Sequence, residues 1–466
     1  MDSRVIDKPS IQEPVPDLLP AVAQTIETTR YFPESTYRLQ FHAGFTFRDA
    51  LQIVPYLHAL GITHCYASPL LQARPGSTHG YDITNHQMFN PEIGTEANYE
   101  ALCQALQASG MGQVHDIVPN HMGVAGNDNQ WWRDVLENGP ASPYAGFFDI
   151  AWDASPRPEM HERVLLPVLG QSYGEALESQ EIRLAYAAGA FTLHYFDHCF
   201  PVAPQSYALI LEHRRDALTT LLGEDAEALA EYDSILTAIR HLPPRSETET
   251  TRVAELQREK EVIKRRLATL TDAHPAVREC IEHTVALCNG TPGDPHSFDL
   301  LDTLLQAQAY RLCHWRVASA EINYRRFFDI NDLAALSMEK PAVFAATHGL
   351  ILRLLREGKV HGVRIDHPDG LYNPQQYLHR LQDQYVLGIA QRLLETHPAY
   401  QGLGDQDLEM LLGAALAQTS GTVGEVLRRP LYIVVEKILG VHEVLRDSWP
   451  VYGTSGYDFR CCIRKP

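Results

Sequence analysis

Two hydrophobic periods alternate along the first part of the chain. β-Branched and aromatic residues over 35–41 predict a strand, and 47–60 then carries apolar residues at helical spacing. A second strand over 62–68, a helix over 98–110 and a third strand over 113–118 follow. This β-α-β-α-β order is typical of a parallel sheet built from crossover units.

The alternation stops after the third strand and resumes only near residue 345. Proline, glycine and aromatic clusters fill 125–205, and a charged stretch over roughly 245–270 predicts a helix with a solvated face. The later part of the chain predicts three more strands, at 360–366, at 432–436 after a helix at 405–418, and at 451–459. The pattern favours an α/β fold, a (β/α)8-type barrel with a large insertion after strand 3.

On this interpretation the chain has five parts. They are a flexible N-terminal arm (1–33), barrel strands one to three (34–124), a largely helical insertion that would cover the active site (125–320), barrel strands four to six (321–459) and a tail without strand or helix period (460–466). The insertion takes about two hundred residues and leaves too few to close eight β/α units. We therefore expect the last strands of the barrel to be missing, as in a protein truncated at its C-terminus.

Composition and charge exclude several classes of function. The 466 residues are 45% hydrophobic and 21% charged, which is typical of a globular protein. A net charge of −19 should repel nucleic-acid phosphates and anionic lipid, so we expect no nucleic-acid and no membrane partner. No secretory signal and no long apolar run is found, and the eight cysteines form no CxxC pair. These features favour the cytoplasm.

Acidic residues end three successive predicted strands. Asp116 lies in the third strand, Asp366 ends the fourth and Glu436 ends the fifth. Arg364 lies two residues before Asp366 and so faces the same side of its strand. Because the C-terminal ends of barrel strands line one open face, we expect these side chains to converge. A helix cap or a rim ion pair would explain one such acid, but not three in register.

Two carboxylates in one cavity suit chemistry at a glycosidic bond. One of them attacks the anomeric carbon, and the other protonates the leaving oxygen. An arginine beside the nucleophile would hold it ionised, whereas a less polar setting would keep the acid protonated at neutral pH. The sequence therefore predicts such a pair at the ends of strands four and five.

Several segments resemble the α-amylase family of glycoside hydrolases. They are STHGYDITNHQMFNPEIGT (77–95), VHDIVPNHMG (114–123), GVRIDHPDG (362–370) and IVVEKIL (433–439), in the order that the family has them. Longer blocks at 35–47, 66–82, 322–336 and 453–459 are most similar to the branch of the family that forms trehalose ends by intramolecular transglucosylation. The likeness runs over most of residues 35–459.

The resemblance implies roles for the strand-end residues. Asp366 would be the nucleophile that forms a covalent glycosyl-enzyme, and Glu436 would be the general acid/base. Arg364 would orient and ionise Asp366. Asp116 and Asn120 would be structural neighbours of the site.

The resemblance also implies a set of residues that bind the sugar. Tyr81 would stack beneath it, Asp82 would fix the loop of Tyr81, and His121 would bind its hydroxyls. His367 belongs to the same set; it begins His-Pro-Asp-Gly, where many amylases have Lys-His. That departure fits the transglucosylating branch and argues against ordinary endo-hydrolysis.

No metal and no cofactor is expected. In many members of the family the residue at the position of Asn120 helps to bind calcium, but no clear acidic set accompanies it in this sequence. The histidines form no HExxH or similar paired motif.

The resemblance implies the reaction as well. The reducing-end α-1,4 bond of a maltooligosaccharide would be converted to an α,α-1,1 bond in trehalose biosynthesis, with a maltooligosyltrehalose trehalohydrolase as pathway neighbour. An α-glucan hydrolase and a 4-α-glucanotransferase are the alternatives within the superfamily. An inactive fragment is the alternative from another functional class. The family uses a third carboxylate at the end of the seventh strand, and we find no counterpart of it in this sequence.

Overall fold

The computed structural model describes residues 15–153, 158–222, 226–396, 421–440 and 442–458, together with positions 408, 412 and 413. The chain divides into two compact units, one of Met1–Asn120 with Met338–Pro466 and one of His121–Ser337. The helix predicted at 405–418, apart from those three positions, and the tail at 460–466 lie outside the described residues.

Strands and helices follow one another along the described residues. The strands are β1 (Thr36–Leu39), β2 (His64–Ala67), β3 (Leu71–Ala73), β4 (Ile83–Phe89), β5 (Gly112–Ile117), β6 (His121–Gly123), β7 (Val164–Leu169), β8 (Ile182–Ala187), β9 (Ala190–Tyr195), β10 (His198–Pro201), β11 (Tyr310–His314), β12 (Arg326–Phe327), β13 (Ile330–Ala335), β14 (Gly362–Ile365), β15 (Tyr432–Val435) and β16 (Gly453–Thr454). The helices are α1 (Val15–Thr29), α2 (Phe47–Ala59), α3 (Glu96–Ala108), α4 (Gln130–Asn138), α5 (Tyr173–Glu178), α6 (Tyr207–Leu211), α7 (Arg215–Leu222), α8 (Ala226–Arg240), α9 (Thr250–Ala273), α10 (Pro275–Cys288), α11 (Asp299–Gln306), α12 (Ala318–Glu321), α13 (Pro341–Arg356), α14 (Pro374–Thr396) and α15 (Gly421–Arg428).

A parallel sheet forms the centre of the first unit. Its strands are paired in the order β1, β2, β5, β14, β15 and β16, and each pair of neighbours is parallel. Helices α2, α3, α13, α14 and α15 lie between these strands in the sequence. The prediction of an α/β fold with barrel-type β/α succession is confirmed. Within the described residues the sheet has six strands, and the number in the whole fold stays a prediction.

The sheet is buried because its strands are rich in branched apolar residues. Val363, Ile365, Ile433 and Val435 are fully buried, as expected for parallel strands that are covered by helices. Each of the six predicted strands has its counterpart in the sheet, although the last is only Gly453–Thr454 rather than 451–459. Burial of these apolar side chains removes them from water and supplies the main driving force for forming this unit.

The structure corrects the prediction of a flexible arm at 1–33 in the part of it that is described, from residue 15 on. Val15–Thr29 is a helix, and its buried face consists of Leu18, Val22 and Ile26, which are spaced four residues apart. This face packs against apolar residues of α14 and α15 in one hydrophobic cluster. The prolines obscured the helical spacing, and Pro20, the sixth residue of the helix, removes one of its backbone hydrogen bonds.

Truncation of Ile26 tests whether this helix belongs to the core. We expect Ile26→Ala to lower the free energy of unfolding by about 2–4 kcal/mol, because a fully buried isoleucine would leave a cavity. Gln24→Ala on the exposed side of the same helix is the control and should change it by less than about 0.5 kcal/mol. Equal, small effects of both variants in urea unfolding would contradict the packing of α1.

A hairpin extends the connection after β2 and was not foreseen. β3 and β4 pair as antiparallel strands, with irregular register between Leu71 and Ala73. The segment 74–82 joins them and contains Tyr81 and Asp82. The hairpin therefore holds this functional segment at both ends, and α13 packs against β4.

The second unit contains small sheets and a group of helices. β8, β9 and β10 form an antiparallel sheet, β7 pairs with β11 in parallel, and β6, β13 and β12 form another antiparallel sheet. The sequence placed the insertion at 125–320, whereas this unit begins at His121 and ends at Ser337, because β6 and β13 pair with each other.

The charged helix predicted near 245–270 is α9, and its charged face is partly buried rather than solvated. The ammonium group of Lys260 is 2.7 Å from Asp134 Oδ2 and 2.8 Å from Glu137 Oε2. Lys264 approaches the other oxygen of Glu137 at 2.6 Å. The partners lie more than one hundred residues away in the sequence, so charge spacing along the helix could not reveal them.

None of the described helices combines the length and the apolar character that crossing a lipid bilayer requires.

Candidate active site

The register of the parallel sheet places the strand-end polar residues on one face. Arg38 lies opposite Tyr66, and Asp116 lies opposite Arg364. Residues two positions apart share a face, so Asp366 continues the row begun by Arg364. The sheet ladder extends beyond the strand, since the Asp366 backbone N–H donates to the carbonyl of Ile117 at 2.9 Å. The residues that end β1, β2, β5 and β14 therefore converge.

Arg364 connects the three acids that the sequence singled out. Its Nη1 donates to Asp116 Oδ1 at 2.6 Å and to Asp366 Oδ1 at 2.7 Å. Its Nη2 lies 3.2 Å from Glu436 Oε2. Asp116, Arg364 and Asp366 are buried, whereas the side chain of Glu436 is 27% exposed. One guanidinium thus holds all three carboxyl groups, with Glu436 the most accessible to a substrate.

Asp116 is held on its other oxygen by groups from three segments. Arg38 Nη1 donates to Asp116 Oδ2 at 2.8 Å, and Tyr81 OH donates to it at 2.5 Å. Tyr66 OH lies farther away, at 3.3 Å. Arg38 Nη2 also donates to Tyr81 OH at 3.0 Å, which fixes the phenol group.

Arg38 and Tyr66 also belong to this cluster, and no motif in the sequence pointed to them. Both lie on predicted strands, one residue from the end of β1 and β2, on the face that carries Asp116 and Arg364. Period-two alternation along these strands was the signal that could have found them. They matter because they supply a second guanidinium and a further donor to the buried carboxylate of Asp116.

The charges of this cluster are unequal. Three carboxyl groups face two guanidinium groups, so full ionisation would leave one uncompensated negative charge in a buried place. Burial raises the pKa of Asp366 to about 7; Arg364 opposes this rise, while Asp116 and Glu436 add to it. Near neutral pH the buried carboxyl group of Asp366 therefore retains part of its protonation.

This protonation differs from the prediction that Arg364 would hold Asp366 ionised. The reason is that Arg364 does not pair with Asp366 alone, since it also binds Asp116 and Glu436. Burial raises the pKa of the Tyr81 phenol as well, so it stays protonated and continues to donate to Asp116.

The loop after β14 turns sharply beside the pair. His367 has a φ of +43°, in the left-handed region, and its backbone N–H donates to Glu436 Oε2 at 3.2 Å. Gly370 follows, and a Cβ atom there would lie 2.5 Å from Asn120 Oδ1. Asn120 is fully buried and closes the base of this turn. The strained turn therefore directs a backbone donor to Glu436.

Two further residues fix the loops around the site. Asp82 Oδ1 accepts from Ser77 Oγ at 2.5 Å, and the same hydroxyl accepts from the Gly80 backbone N–H at 3.1 Å, so Asp82 stabilises the segment that carries Tyr81. Lys437, the residue after Glu436, lies 3.0 Å from Asp369 Oδ2. This ion pair joins the loops that follow β14 and β15.

The predicted site residues thus fall into two groups. The first unit brings together Asp116, Asn120, Arg364, Asp366, His367 and Glu436 from the strand ends, and Tyr81 and Asp82 from the hairpin connection. His121 is the first residue of β6 in the second unit, where its ring is 4.5 Å from that of Phe327. Among the described residues no three His, Cys, Asp or Glu side chains are arranged to hold a metal ion.

The hydroxyl of Tyr81 gives a test of this hydrogen-bond network. Tyr81→Phe should lower the free energy of unfolding by about 1–3 kcal/mol, because it leaves the buried Asp116 carboxylate without its shortest donor. Tyr66→Phe is the matched variant; its longer bond to the same oxygen predicts a loss below about 1 kcal/mol. Chemical unfolding at pH 7 compares the two, and a larger loss for Tyr66→Phe would refute the assignment.

Comparison with known proteins finds a matching family and several similar proteins. Residues 48–201 match the family described as alpha amylase, catalytic domain. Over these residues the chain is similar to that family. The chain is also similar to maltooligosyltrehalose synthases, over 91% of its own length.

Three relatives illustrate this similarity. A putative maltooligosyl trehalose synthase of Mycobacterium tuberculosis is 30% identical over 433 residues, which cover 91% of this chain and 37% of the relative. The structure of maltooligosyltrehalose synthase from Arthrobacter ramosus matches with 31% identity and a TM-score of 0.57, covering 92% of this chain and 37% of that one. A hypothetical maltooligosyl trehalose synthase from Sulfolobus tokodaii matches with 26% identity and a TM-score of 0.54, covering 92% and 38%. The chain spans about 37% of the length of the curated relative.

Proposed function

We propose that this site catalyses an intramolecular transglucosylation of maltooligosaccharides. The reducing-end α-1,4 bond would be converted to an α,α-1,1 bond, giving maltooligosyltrehalose, in the cytoplasm and within trehalose biosynthesis. The observation that carries the proposal is the pair Asp366 and Glu436, whose carboxyl groups both contact the guanidinium of Arg364. The names of the similar proteins support the choice of substrate and product.

The first half of the reaction breaks the terminal α-1,4 bond. Glu436 protonates the glycosidic oxygen, while the carboxylate of Asp366 attacks the anomeric carbon and forms a glycosyl ester. The released glucose carries away the proton from Glu436, which becomes a carboxylate. Arg364 contacts both groups throughout and stabilises the negative charge as it moves from one to the other.

The second half transfers the glycosyl group back to the retained glucose. Glu436 takes the proton of the anomeric hydroxyl of that glucose, and its oxygen displaces Asp366 from the glycosyl carbon. Two inversions at this carbon keep its α configuration, so the product carries an α,α-1,1 bond. The exposure of Glu436 suits this double role, because its carboxyl group must exchange a proton with two different oxygens in turn.

Other residues would bind and orient the sugar. Tyr81 would present its ring face to the sugar beside the reacting carbon, and His121 and His367 would bind hydroxyl groups. Asp116 would act indirectly, because both of its oxygens are already occupied by Arg364, Arg38 and Tyr81. A maltooligosyltrehalose trehalohydrolase would consume the product.

Incubation with maltopentaose tests the proposed reaction. We expect reducing ends to disappear without release of glucose, and proton NMR to show a new α,α-1,1 anomeric signal. Asp366→Asn should abolish the signal, whereas Asp216→Asn, an exposed aspartate of the second unit, should retain it. Rising reducing sugar would identify a hydrolase, longer and shorter α-1,4 oligomers would identify a 4-α-glucanotransferase, and no product from folded protein would contradict activity of this polypeptide.

A further inference from the structure

The tip of a hairpin in the second unit carries an exposed phenylalanine in a strained conformation. Phe327 pairs with Ile330, so Phe328 and Asp329 form the turn between β12 and β13. Phe328 has a φ of +50° and is 71% exposed. Two-residue turns with a positive φ at their first position normally place glycine, asparagine or aspartate there. A phenylalanine at this position costs backbone energy and gains little burial, so the fold alone does not explain it.

The hairpin below the tip is held firmly. Tyr324 OH donates to the carbonyl of Asn331 on the opposite strand at 3.0 Å. Arg326 Nη1 donates to the carbonyl of Asp329 at 3.1 Å and also to Asn331 Oδ1. The ring of Tyr324 packs against Trp132, with the ring centroids 5.3 Å apart. The tip therefore has a defined shape before a ligand arrives, which lowers the entropy cost of binding.

The ring of Phe328 is oriented by its neighbour. It meets the ring of Phe327 at 78°, with the centroids 4.6 Å apart. Phe327 is half-buried, and its own ring lies 4.5 Å from that of His121. The T-shaped contact fixes the Phe328 ring and leaves most of its surface open to solvent.

The size and charge of the tip limit what can cover it. A stable protein partner covers about 800 Å² on each side, whereas one phenylalanine side chain supplies about 150–250 Å². A membrane-binding tip would combine its aromatic residues with free lysine or arginine. Here Asp329 follows Phe328 directly, and Arg326 is bound to the turn. A small, flat, uncharged ligand suits this surface.

We propose that Phe328 stacks on a glucosyl residue of an α-glucan, with the exposed carboxylate of Asp329 accepting a hydrogen bond from one of its hydroxyl groups. A pyranose ring has C–H groups on its face, which pack on an aromatic ring, and hydroxyl groups at its rim, which need acceptors. The choice of an α-glucan rests on the proposed function. The strain at Phe328 is then the cost of presenting its ring to the ligand.

Calorimetric titration with maltoheptaose tests the site, with the full chain carrying Asp366→Asn so that the sugar is not turned over. Phe328→Gly should weaken the affinity by about fivefold or more, because the stacking face is lost. The same variant should raise the thermal unfolding midpoint, because glycine adopts a positive φ without strain. Phe328→Tyr should keep the affinity within about twofold, whereas Phe328→Leu, which is apolar but not flat, should lose as much as the glycine variant.

Phe196→Gly is the matched control. Phe196 is 72% exposed, has a φ of +48° and occupies the same position in the two-residue turn between β9 and β10. It should raise the midpoint in a similar way but leave the affinity within about twofold.

Three results would overturn the proposal. They are an unchanged affinity in Phe328→Gly, an equal loss of affinity in Phe196→Gly, and a change of oligomeric state in Phe328→Gly on size exclusion, which would make the tip a contact between copies of the chain. Product formation by the chain with Asp366 intact is measured separately. Maltoheptaose binding that depends on Phe328, without an α,α-1,1 product, would contradict the proposed reaction and leave this site standing.

Discussion

Asp366→Asn is expected to raise the free energy of unfolding at pH 8 by about 2–4 kcal/mol while reducing glycosyl transfer by roughly 10⁴-fold or more. The pKa of Asp366 is raised from 3.8 to about 7 by burial, so the folded state prefers the protonated carboxyl group. Asparagine resembles that protonated form but cannot attack the anomeric carbon. The variant should therefore be more stable and inactive.

The sign of the pH dependence follows from the same shift. Because the folded pKa lies above the unfolded one, the contribution of Asp366 to stability is full below about pH 4 and is lost as the pH rises through 7. The gain from Asp366→Asn should thus be largest at pH 8 and vanish near pH 4. Urea unfolding across this range is the measurement, with Asp216→Asn as control. A destabilised variant at pH 8 would contradict the raised pKa.

Arg364→Met is expected to lower the free energy of unfolding by about 3–5 kcal/mol at pH 7, the largest destabilisation that we predict. Removal of this guanidinium leaves Asp116 and Asp366 buried without their common cation. The loss should diminish towards pH 4, where the carboxyl groups can take up protons. Unfolding in urea at pH 7 and pH 4 measures both quantities.

Arg38→Met is the matched comparison for Arg364→Met. Arg38 pairs with Asp116 alone, and its side chain is 31% exposed, so water screens part of the interaction. We expect a loss of about 1–2 kcal/mol, well below that of Arg364→Met. Arg364→Lys should fall between the two methionine variants, because one ammonium cannot bind three carboxylates in the same geometry. Equal losses for Arg38→Met and Arg364→Met would mean that Arg364 is not the centre of the cluster.

Much of the central sheet could be predicted because its strands alternate with helices and have a distinct apolar composition. The acids at the ends of β5, β14 and β15 were visible for the same reason: strand ends meet at one edge in parallel sheets. Arg38 and Tyr66 were not foreseen, since one polar residue in a strand has no local partner. Their role appears only when register brings them beside Asp116, 50 to 78 residues away.

Two other features depend on contacts that sequence spacing does not contain. The helix Val15–Thr29 was hidden by its prolines, and its apolar face is recognisable only by the α14 and α15 residues that cover it. The raised pKa of Asp366 has a similar origin. An arginine two residues away predicted an ionised aspartate, but three carboxylates compete for that arginine, and two of them come from other strands.

The covalent intermediate is the most direct test of the central claim, that Asp366 and Glu436 form a nucleophile and acid/base pair. In Glu436→Gln, an α-maltotriosyl fluoride donor can still react, because fluoride leaves without a proton, but the ester cannot be resolved by a base. Mass spectrometry of the digested protein should then show one maltotriosyl group on the peptide that contains Asp366, and none in Asp366→Asn/Glu436→Gln. A maltotriosyl group on another carboxylate, or no labelling of the folded single variant, would contradict the account.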